Sequence, residues 1–229
     1  MKKRAIVTES LQPAHYATAP SDRPPAGPLV GARFEGAAAH AAQLPAVGPA
    51  EIAFAGRSNS GKSSAINALA RQKQLAYASR TPGRTRQINF FTLRSGARVA
   101  DLPGYGYAAV PKAMKLEWQD LLWDYVTLRT TLVGLVVVID ARHGMKGLDE
   151  DLLGGYLPSG RPALILATKS DKLGLADRRT AVATLRRRLD ERFDPYRAAV
   201  IVLTFSAVSR AGVEAADMTL AQWLPGAPP

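Results

Sequence analysis

The most informative stretch of the chain is a run of small and polar residues at 56–64, GRSNSGKSS, directly after the apolar run EIAFA. Glycines let the backbone of such a turn approach a bound group closely, and successive N–H groups there form a concave surface for an anion. The N-terminus of a following helix adds favourable potential at the same point. The spacing G-x-x-x-x-G-K-S, at Gly56, Gly61, Lys62 and Ser63, therefore predicts a phosphate-binding loop.

Each part of this loop has a predicted role. Lys62 would neutralise β- and γ-phosphate oxygens, and the Ser63 hydroxyl would ligate Mg²⁺. The residues predicted to contact a nucleotide here are Gly56, Arg57, Ser58, Asn59, Ser60, Gly61, Lys62 and Ser63.

A second motif, DLPG at 101–104, ends the predicted strand ARVA. The carboxyl ends of parallel strands meet at one crevice, so this motif should lie near the phosphate-binding loop. Asp101 could hold Mg²⁺ through water, and the Gly104 N–H could sense a γ-phosphate. The predicted contacts of this motif are Asp101, Leu102, Pro103 and Gly104.

Two further motifs follow strands and concern the base. TKSD ends the strand PALILA, and a carboxylate at Asp171 can accept two N–H bonds from the N1 and N2 edge of guanine, which adenine lacks. Lys169 would lay its aliphatic stem along the base. FSA ends the last strand, and its backbone N–H groups could donate to guanine O6. The predicted base-contacting residues are Thr168, Lys169, Ser170, Asp171, Phe205, Ser206 and Ala207. Together these motifs predict a GTP-binding domain.

The segment SRTPGRTRQ at 79–87 is rich in turn residues and lacks apolar anchors, so we expect it to become ordered only when a ligand holds it. Thr85, just before RQINFF, is the predicted second hydroxyl for Mg²⁺, and Thr81 is the alternative. The predicted nucleotide contacts here are Gly83, Arg84, Thr85, Arg86 and Gln87. The three predicted catalytic residues are Lys62, Thr85 and Gly104.

The elements that would position these motifs alternate between short β-rich runs and helical segments, which is typical of a parallel sheet with helices on both faces. Six strands are predicted, EIAFA, RQINFFTL, ARVADL, LVGLVVVID, PALILAT and AVIVLTF, and LVGARFEGA could add an edge strand. The fold class is therefore α/β, a three-layer P-loop NTPase. Residues 1–28 are rich in Pro and Ala and are predicted to form a disordered tail, and 29–225 to form a single domain.

Composition narrows the classes of function. The 229-residue chain has no cysteine, which excludes disulfides and thiolate metal sites and favours a cytosolic location. Its three histidines lie far apart without ligand spacing, and no apolar run is long enough to cross a bilayer. The formal charge of +11 favours a phosphate-rich partner such as RNA, although a basic surface that contacts only solvent would give the same net charge.

These motifs also resemble one family. GRSNSGKSSAINAL, TPGRTRQINFF, DLPGYGYA, TKSDK and FSA are similar to the ribosome-assembly GTPases called EngB, YihA or YsxC, in the TrmE, Era, EngA, YihA and septin group. The resemblance implies a Ras-like six-stranded G domain, GTP and GDP binding with Mg²⁺, a role in large-subunit maturation, and a link to cell division and septation. By analogy with related GTPases, Asn59 is a candidate K⁺ ligand.

The resemblance also bears on rate and partners. Many GTPases orient the attacking water with a glutamine directly after D-x-x-G, whereas this chain has Tyr105, which predicts slow intrinsic hydrolysis. We expect a monomer whose partner is the large ribosomal subunit or its rRNA, with neither DNA nor a membrane as partner.

Thr168 stands where the family motif begins with Asn, which is expected to weaken the bracing of the loop. Two alternatives stay open: a P-loop ATPase or nucleotide kinase, and an RNA-binding module gated by GTP with negligible hydrolysis.

Overall fold

The structure is a computed structural model that describes residues 27–77, 87–106 and 112–224, with the backbone alone for 112–119. Its seven strands are β1 Arg33–Ala38, β2 Glu51–Gly56, β3 Ile88–Thr92, β4 Arg98–Asp101, β5 Leu132–Asp140, β6 Ala163–Thr168 and β7 Val200–Thr204. Its five α-helices are α1 Lys62–Ala70, α2 Lys112–Leu128, α3 Gly147–Tyr156, α4 Leu175–Phe193 and α5 Val213–Trp223.

All of these strands belong to one sheet, in the order β1-β3-β4-β2-β5-β6-β7. The pairs β1–β3 and β3–β4 are antiparallel, and the remaining pairs are parallel. This confirms the mostly parallel α/β sheet predicted from the sequence. The predicted count of six strands is wrong, because LVGARFEGA supplies a seventh strand, which pairs along the edge with β3.

Helices cover both faces of the sheet because alternate residues of the central strands point to opposite sides. On one face, Val137 and Ile165 lie in a core with Leu153 of α3 and Leu185 of α4. On the other face, α1 and α5 pack against the intervening strand residues, such as Val138 and Leu166. Burial on both faces explains why β5 and β6 read as almost continuous apolar runs.

No helix in the described ranges is both long and apolar enough to span a lipid bilayer. The prediction of a disordered tail falls largely on residues 1–26, outside the described residues. The chain is described from Gly27, and Leu29 is fully buried in the core beside α1 and α5.

One buried acid of α5 costs stability at neutral pH. Asp217 is 7% exposed, packs against the backbone of Gly27, and its Oδ1 has no hydrogen-bond partner within the described part of the chain. Burial raises the pKa of Asp217 to about 6, although Arg71 and Arg210 act in the opposite direction. The folded protein therefore binds this proton more tightly than the unfolded chain, and this contribution to stability is lost as the pH rises from 4 through 6.

Asp217→Asn is therefore expected to raise the free energy of unfolding at pH 7.5 by roughly 2 kcal/mol and to change it little near pH 4. Urea unfolding of both proteins across this pH range measures the difference, with Asp190→Asn, at an exposed position of α4, as the control. A gain that is independent of pH, or one shared by the control, would contradict the assignment.

Candidate nucleotide site

The predicted phosphate-binding loop connects the end of β2 to the start of α1. Ser60 N–H donates to Arg57 O at 3.0 Å and closes a tight turn. Gly61 caps the N-terminus of α1 with φ of 97°, a left-handed conformation that glycine adopts without a steric penalty. Asn59 is also left-handed, with φ of 64°, and asparagine tolerates this better than most residues. The loop thus has the strand–turn–helix context that the motif requires.

The DLPG segment continues from β4 along this loop. Leu102 N–H donates to Phe54 O at 2.9 Å, and Ser58 N–H donates to Tyr105 O at 2.9 Å. A Cβ on Gly104 would lie 3.2 Å from the backbone N of Ser58, so only glycine lets the two segments come this close without displacement. Gly104 therefore lies against Ser58 of the phosphate-binding loop.

Lys62 and Asp101 meet at the same place. The Lys62 ammonium contacts the Asp101 carboxylate directly, and both groups are largely buried. Ser63 at the start of α1 has its hydroxyl 3.4 Å from Tyr77 O. A carboxylate and a hydroxyl are hard oxygen ligands of the type that Mg²⁺ prefers, and the position of the lysine shows that a cation is accommodated at Asp101. These two residues fit the predicted metal site.

The TKSD segment contacts the phosphate-binding loop from the other side. Thr168 Oγ1 lies 2.5 Å from Ser60 O and 3.0 Å from Ile139 O, which ties the end of β6 to both neighbours. A hydroxyl has one proton for these two acceptors, whereas an asparagine amide would offer two. Threonine therefore keeps the bridge, but with one donor fewer.

Lys169 strengthens the same connection. It is left-handed, with φ of 57°, and its ammonium donates to Asn59 O at 2.6 Å. Its Cε lies 3.8 Å from where a Cβ on Gly61 would stand, so its stem runs across the loop. Its predicted contact with a base stays a prediction.

The base-recognition motifs meet each other as well. Ser206 Oγ donates to Asp171 Oδ1 at 2.7 Å, and this hydrogen bond holds the pKa of Asp171 below its usual value. Asp171 therefore stays a carboxylate well below neutral pH. Ser170 N–H donates to Phe205 O at 3.2 Å, which joins the two motifs through the backbone.

Two of the three amides of FSA are already engaged. Phe205 N–H donates to Ala167 O at 2.9 Å, Ser206 N–H donates to Ala211 O at 3.0 Å, and the Phe205 ring lies in the core. For Ala207, no backbone N–H bond is found within the described ranges, so it is the amide of this motif that could donate to a base.

Two other predicted contacts, Leu102 and Gln87, lie next to the ends of strands. Leu102 is fully buried in the core, and its N–H is bonded to Phe54 O of β2, so its side chain is not free to contact a nucleotide. Gln87 is exposed and directly precedes β3. The predicted contacts Gly83, Arg84, Thr85 and Arg86 lie outside the described residues, as does the alternative Mg²⁺ ligand Thr81.

Sequence reasoning missed Asp140, the last residue of β5. Its Oδ2 lies 3.0 Å from Lys169 Nζ and 2.7 Å from a guanidinium nitrogen of Arg142. Burial alone would raise the pKa of Asp140, but the bonds from Arg142 and Lys169 outweigh burial and hold it well below the usual value. The carboxylate thus orients Lys169. A carboxylate at the end of an otherwise apolar strand was the available signal.

Sequence reasoning also missed the partner of Tyr105. This side chain is 4% exposed, and its hydroxyl donates to Asp149 Oδ1 of α3 at 2.7 Å. Burial raises the pKa of Tyr105 well above its usual value, and the neighbouring carboxylate adds to the rise, so the phenol keeps its proton. Asp149 Oδ2 accepts a second bond from Lys146 N–H at 2.9 Å. Tyr105 thereby fixes the segment after Gly104 to α3.

Tyr105→Phe is expected to lower the free energy of unfolding by about 1–3 kcal/mol, because Asp149 loses a donor while staying buried. It should also weaken binding of a GTP analogue more than binding of GDP, since Gly104 would be held less firmly. Calorimetry with both nucleotides measures the ratio. Tyr156→Phe, whose hydroxyl donates to Pro162 O away from the site, is the control. An equal loss for both nucleotides would leave Tyr105 with a purely structural role.

Comparison with known proteins finds a matching family model and a similar relative. Residues 51–169 match a protein-family model described as a 50S ribosome-binding GTPase. The chain is 48% identical over 193 residues, 84% of its length, to a protein of Azoarcus sp. (strain BH72) described as a probable GTP-binding protein EngB, of which it covers 91%.

Two solved structures share the fold. One is a probable GTP-binding protein engB, with a TM-score of 0.62, 20% identity, and coverage of 76% of this chain and 97% of that one. The other is Era in complex with MgGDPNP and nucleotides 1506–1542 of 16S ribosomal RNA, with a TM-score of 0.57, 20% identity, and coverage of 79% and 58%.

Proposed function

This chain belongs to the EngB family of GTP-binding proteins and is a GTPase with the P-loop fold, and from that premise we propose that it acts as a nucleotide-controlled switch in assembly of the large ribosomal subunit. The description of the matched family model as a 50S ribosome-binding GTPase is the observation that carries this proposal. The formal charge of +11 supports a phosphate-rich partner. From the family resemblance we also propose a requirement in cell division and septation, and from the absence of cysteine in the sequence a cytoplasmic location.

We assign roles in nucleotide binding from the contacts that join the four described motifs to one another. The amides of residues 57–62 and the Lys62 ammonium hold the β- and γ-phosphates, and the Gly104 N–H meets the γ-phosphate. The Asp171 carboxylate accepts the N1 and N2 protons of guanine, with Lys169 beneath the ring. An ATPase would leave this carboxylate without its donor pair, which argues against that alternative.

Mg²⁺ would be held by Ser63 and Asp101, with Thr85 as the proposed third protein ligand, and when bound it supplies charge neutralisation at the β- and γ-phosphates. Lys62, which contacts Asp101, would then turn to the phosphates. Asn59 remains the candidate for a K⁺ ligand; equal hydrolysis rates in sodium and potassium would count against it.

The position of Tyr105 supports a slow intrinsic rate. Its hydroxyl is bonded to Asp149 and its ring is buried, so it cannot orient an attacking water as an exposed glutamine would. We propose that a group of the ribosome or a monovalent cation supplies the missing function.

The direct test is co-sedimentation of the full chain with purified 50S or 30S subunits in the presence of GDP or a non-hydrolysable GTP analogue. We expect pelleting with 50S subunits in the analogue, at least about tenfold weaker association in GDP, and a steep loss as salt rises. Association that is equal in both nucleotides and insensitive to salt, or that favours 30S subunits, would overturn the ribosomal part of the proposal and leave the GTPase intact.

A further inference from the structure

A groove of about 620 Å³ lies between α4 and α5, along the last strand of the sheet, and Ser170 of the TKSD segment is among its lining residues. Its wall on the α4 side is one helical stripe, with Leu175, Arg179, Val182 and Arg186 three or four residues apart. Leu203 of β7 forms the floor, and small residues of the opposite wall, such as Ala215 of α5, keep it open.

The floor and walls are mainly apolar, yet they face solvent. Leu175 is 66% exposed, which is unusual for a leucine beside other apolar side chains. Val182 and Leu203 are half-buried. Covering an apolar surface of this kind with a partner is favourable, because it removes the surface from water.

The charged groups of the groove are all of one sign. Arg178, Arg179 and Arg186 line it, and no carboxylate is among its lining side chains in the described part of the chain. Within the described ranges none of the three forms an ion pair, although Arg178 donates to Leu173 O at 2.9 Å.

The other arginines of α4 differ. Arg187 lies 3.7 Å from Glu191, and Arg188 and Arg192 both pair with Glu150 of α3. The α4 arginines outside the groove are therefore paired with carboxylates, whereas those that line the groove can still pair with the carboxylates of a partner.

We propose that this groove binds an acidic amphipathic helix of a partner protein. Its apolar stripe would cover Leu175, Val182 and Leu203, and carboxylates beside the stripe would pair with the groove arginines. The α4 wall from Leu175 to Arg186 is about 16 Å long, which matches roughly three turns of helix.

RNA fits this groove less well. Phosphates would pair with the arginines but would leave the apolar floor uncovered. Among the residues that the structure describes, no aromatic ring lines the groove, so they offer no platform on which a base could stack.

The test uses the full chain with GDP and a fluorescein-labelled peptide of about 16 residues, long enough for the wall. The peptide carries leucines on one face, glutamates beside them and alanine or glutamine elsewhere; a scrambled peptide of the same composition and an oligouridylate are the comparison ligands. Fluorescence anisotropy should give binding of the amphipathic peptide at least about tenfold tighter than binding of the scrambled one.

Three variants separate this site from general charge attraction. Arg186→Glu should weaken peptide binding about tenfold or more, whereas Arg187→Glu, which changes net charge equally at the adjacent position, should change it less than about twofold. Val182→Ser should weaken binding several-fold through lost apolar contact. Equal effects of the two arginine variants, no effect of Val182→Ser, or dependence on Arg186 for oligouridylate but not for the peptide would overturn the proposal.

Discussion

An Asp171→Asn variant is expected to lose about 100-fold or more of its affinity for GTP, because one charge-assisted hydrogen-bond pair is removed and the new amide N–H₂ faces a guanine donor. The same variant should gain affinity for xanthosine triphosphate. Xanthine presents one N–H donor and one carbonyl acceptor at this edge, which match the oxygen and nitrogen of an asparagine amide. Ser206 Oγ, 2.7 Å from Asp171 Oδ1, can still donate to the amide oxygen and hold the side chain in place.

Competition of GTP, ATP and xanthosine triphosphate against a fluorescent guanosine nucleotide measures this exchange of preference. Asp190→Asn makes the same chemical change at an exposed position of α4 and should leave all three affinities unchanged. If Asp171→Asn retained the affinity of the wild type for GTP, the carboxylate would not be reading the base. The guanine specificity would then have to come from other groups.

A Lys62→Met variant is expected to bind GTP at least about 100-fold more weakly, since a loss of roughly 3 kcal/mol follows when charge-assisted bonds to two phosphates disappear. Methionine keeps an unbranched side chain of similar length, so the packing of α1 should change little. The loss should be smaller for GMP, which lacks the β- and γ-phosphates that the ammonium contacts.

The substitution also leaves the Asp101 carboxylate without the ammonium that contacts it, so folding must be checked separately. Circular dichroism and thermal unfolding provide that check. Lys73→Met, at an exposed position beyond the C-terminal end of α1, is the matched control. Undiminished GTP binding by a folded Lys62→Met protein would show that the loop does not bind the triphosphate as proposed.

Thr168 bears on both predictions because it connects the two ends of the site. Its single hydroxyl proton serves two carbonyl acceptors, Ser60 O in the phosphate-binding loop and Ile139 O in β5. The link between the base-recognition end and the phosphate end therefore persists although the motif begins with threonine.

The sequence by itself determined the class of fold and the chemistry of the phosphate-binding loop. Both depend on local rules: apolar runs such as β5 and β6 must be buried on both faces, and G-x-x-x-x-G-K-S requires a strand, a tight turn and a helix in immediate succession. Because these rules are local, they predicted the edge strand only as a possible addition to the sheet. RFEGAA has mostly exposed side chains, and its pairing with β3 more than fifty residues away leaves little trace in its own pattern.

Only the tertiary structure decided which side chains from other elements of the chain bond to the residues of the motifs. The Asp140 carboxylate that orients Lys169, and the Asp149 carboxylate that receives the Tyr105 hydroxyl, each come from another element of the chain. The division of the α4 arginines into paired and groove-lining sets likewise depends on the neighbours α3 and α5. Hydrogen bonds and ion pairs act over about 3–4 Å in space, whatever the separation along the chain, so residue spacing predicts the motifs and folding alone selects their partners.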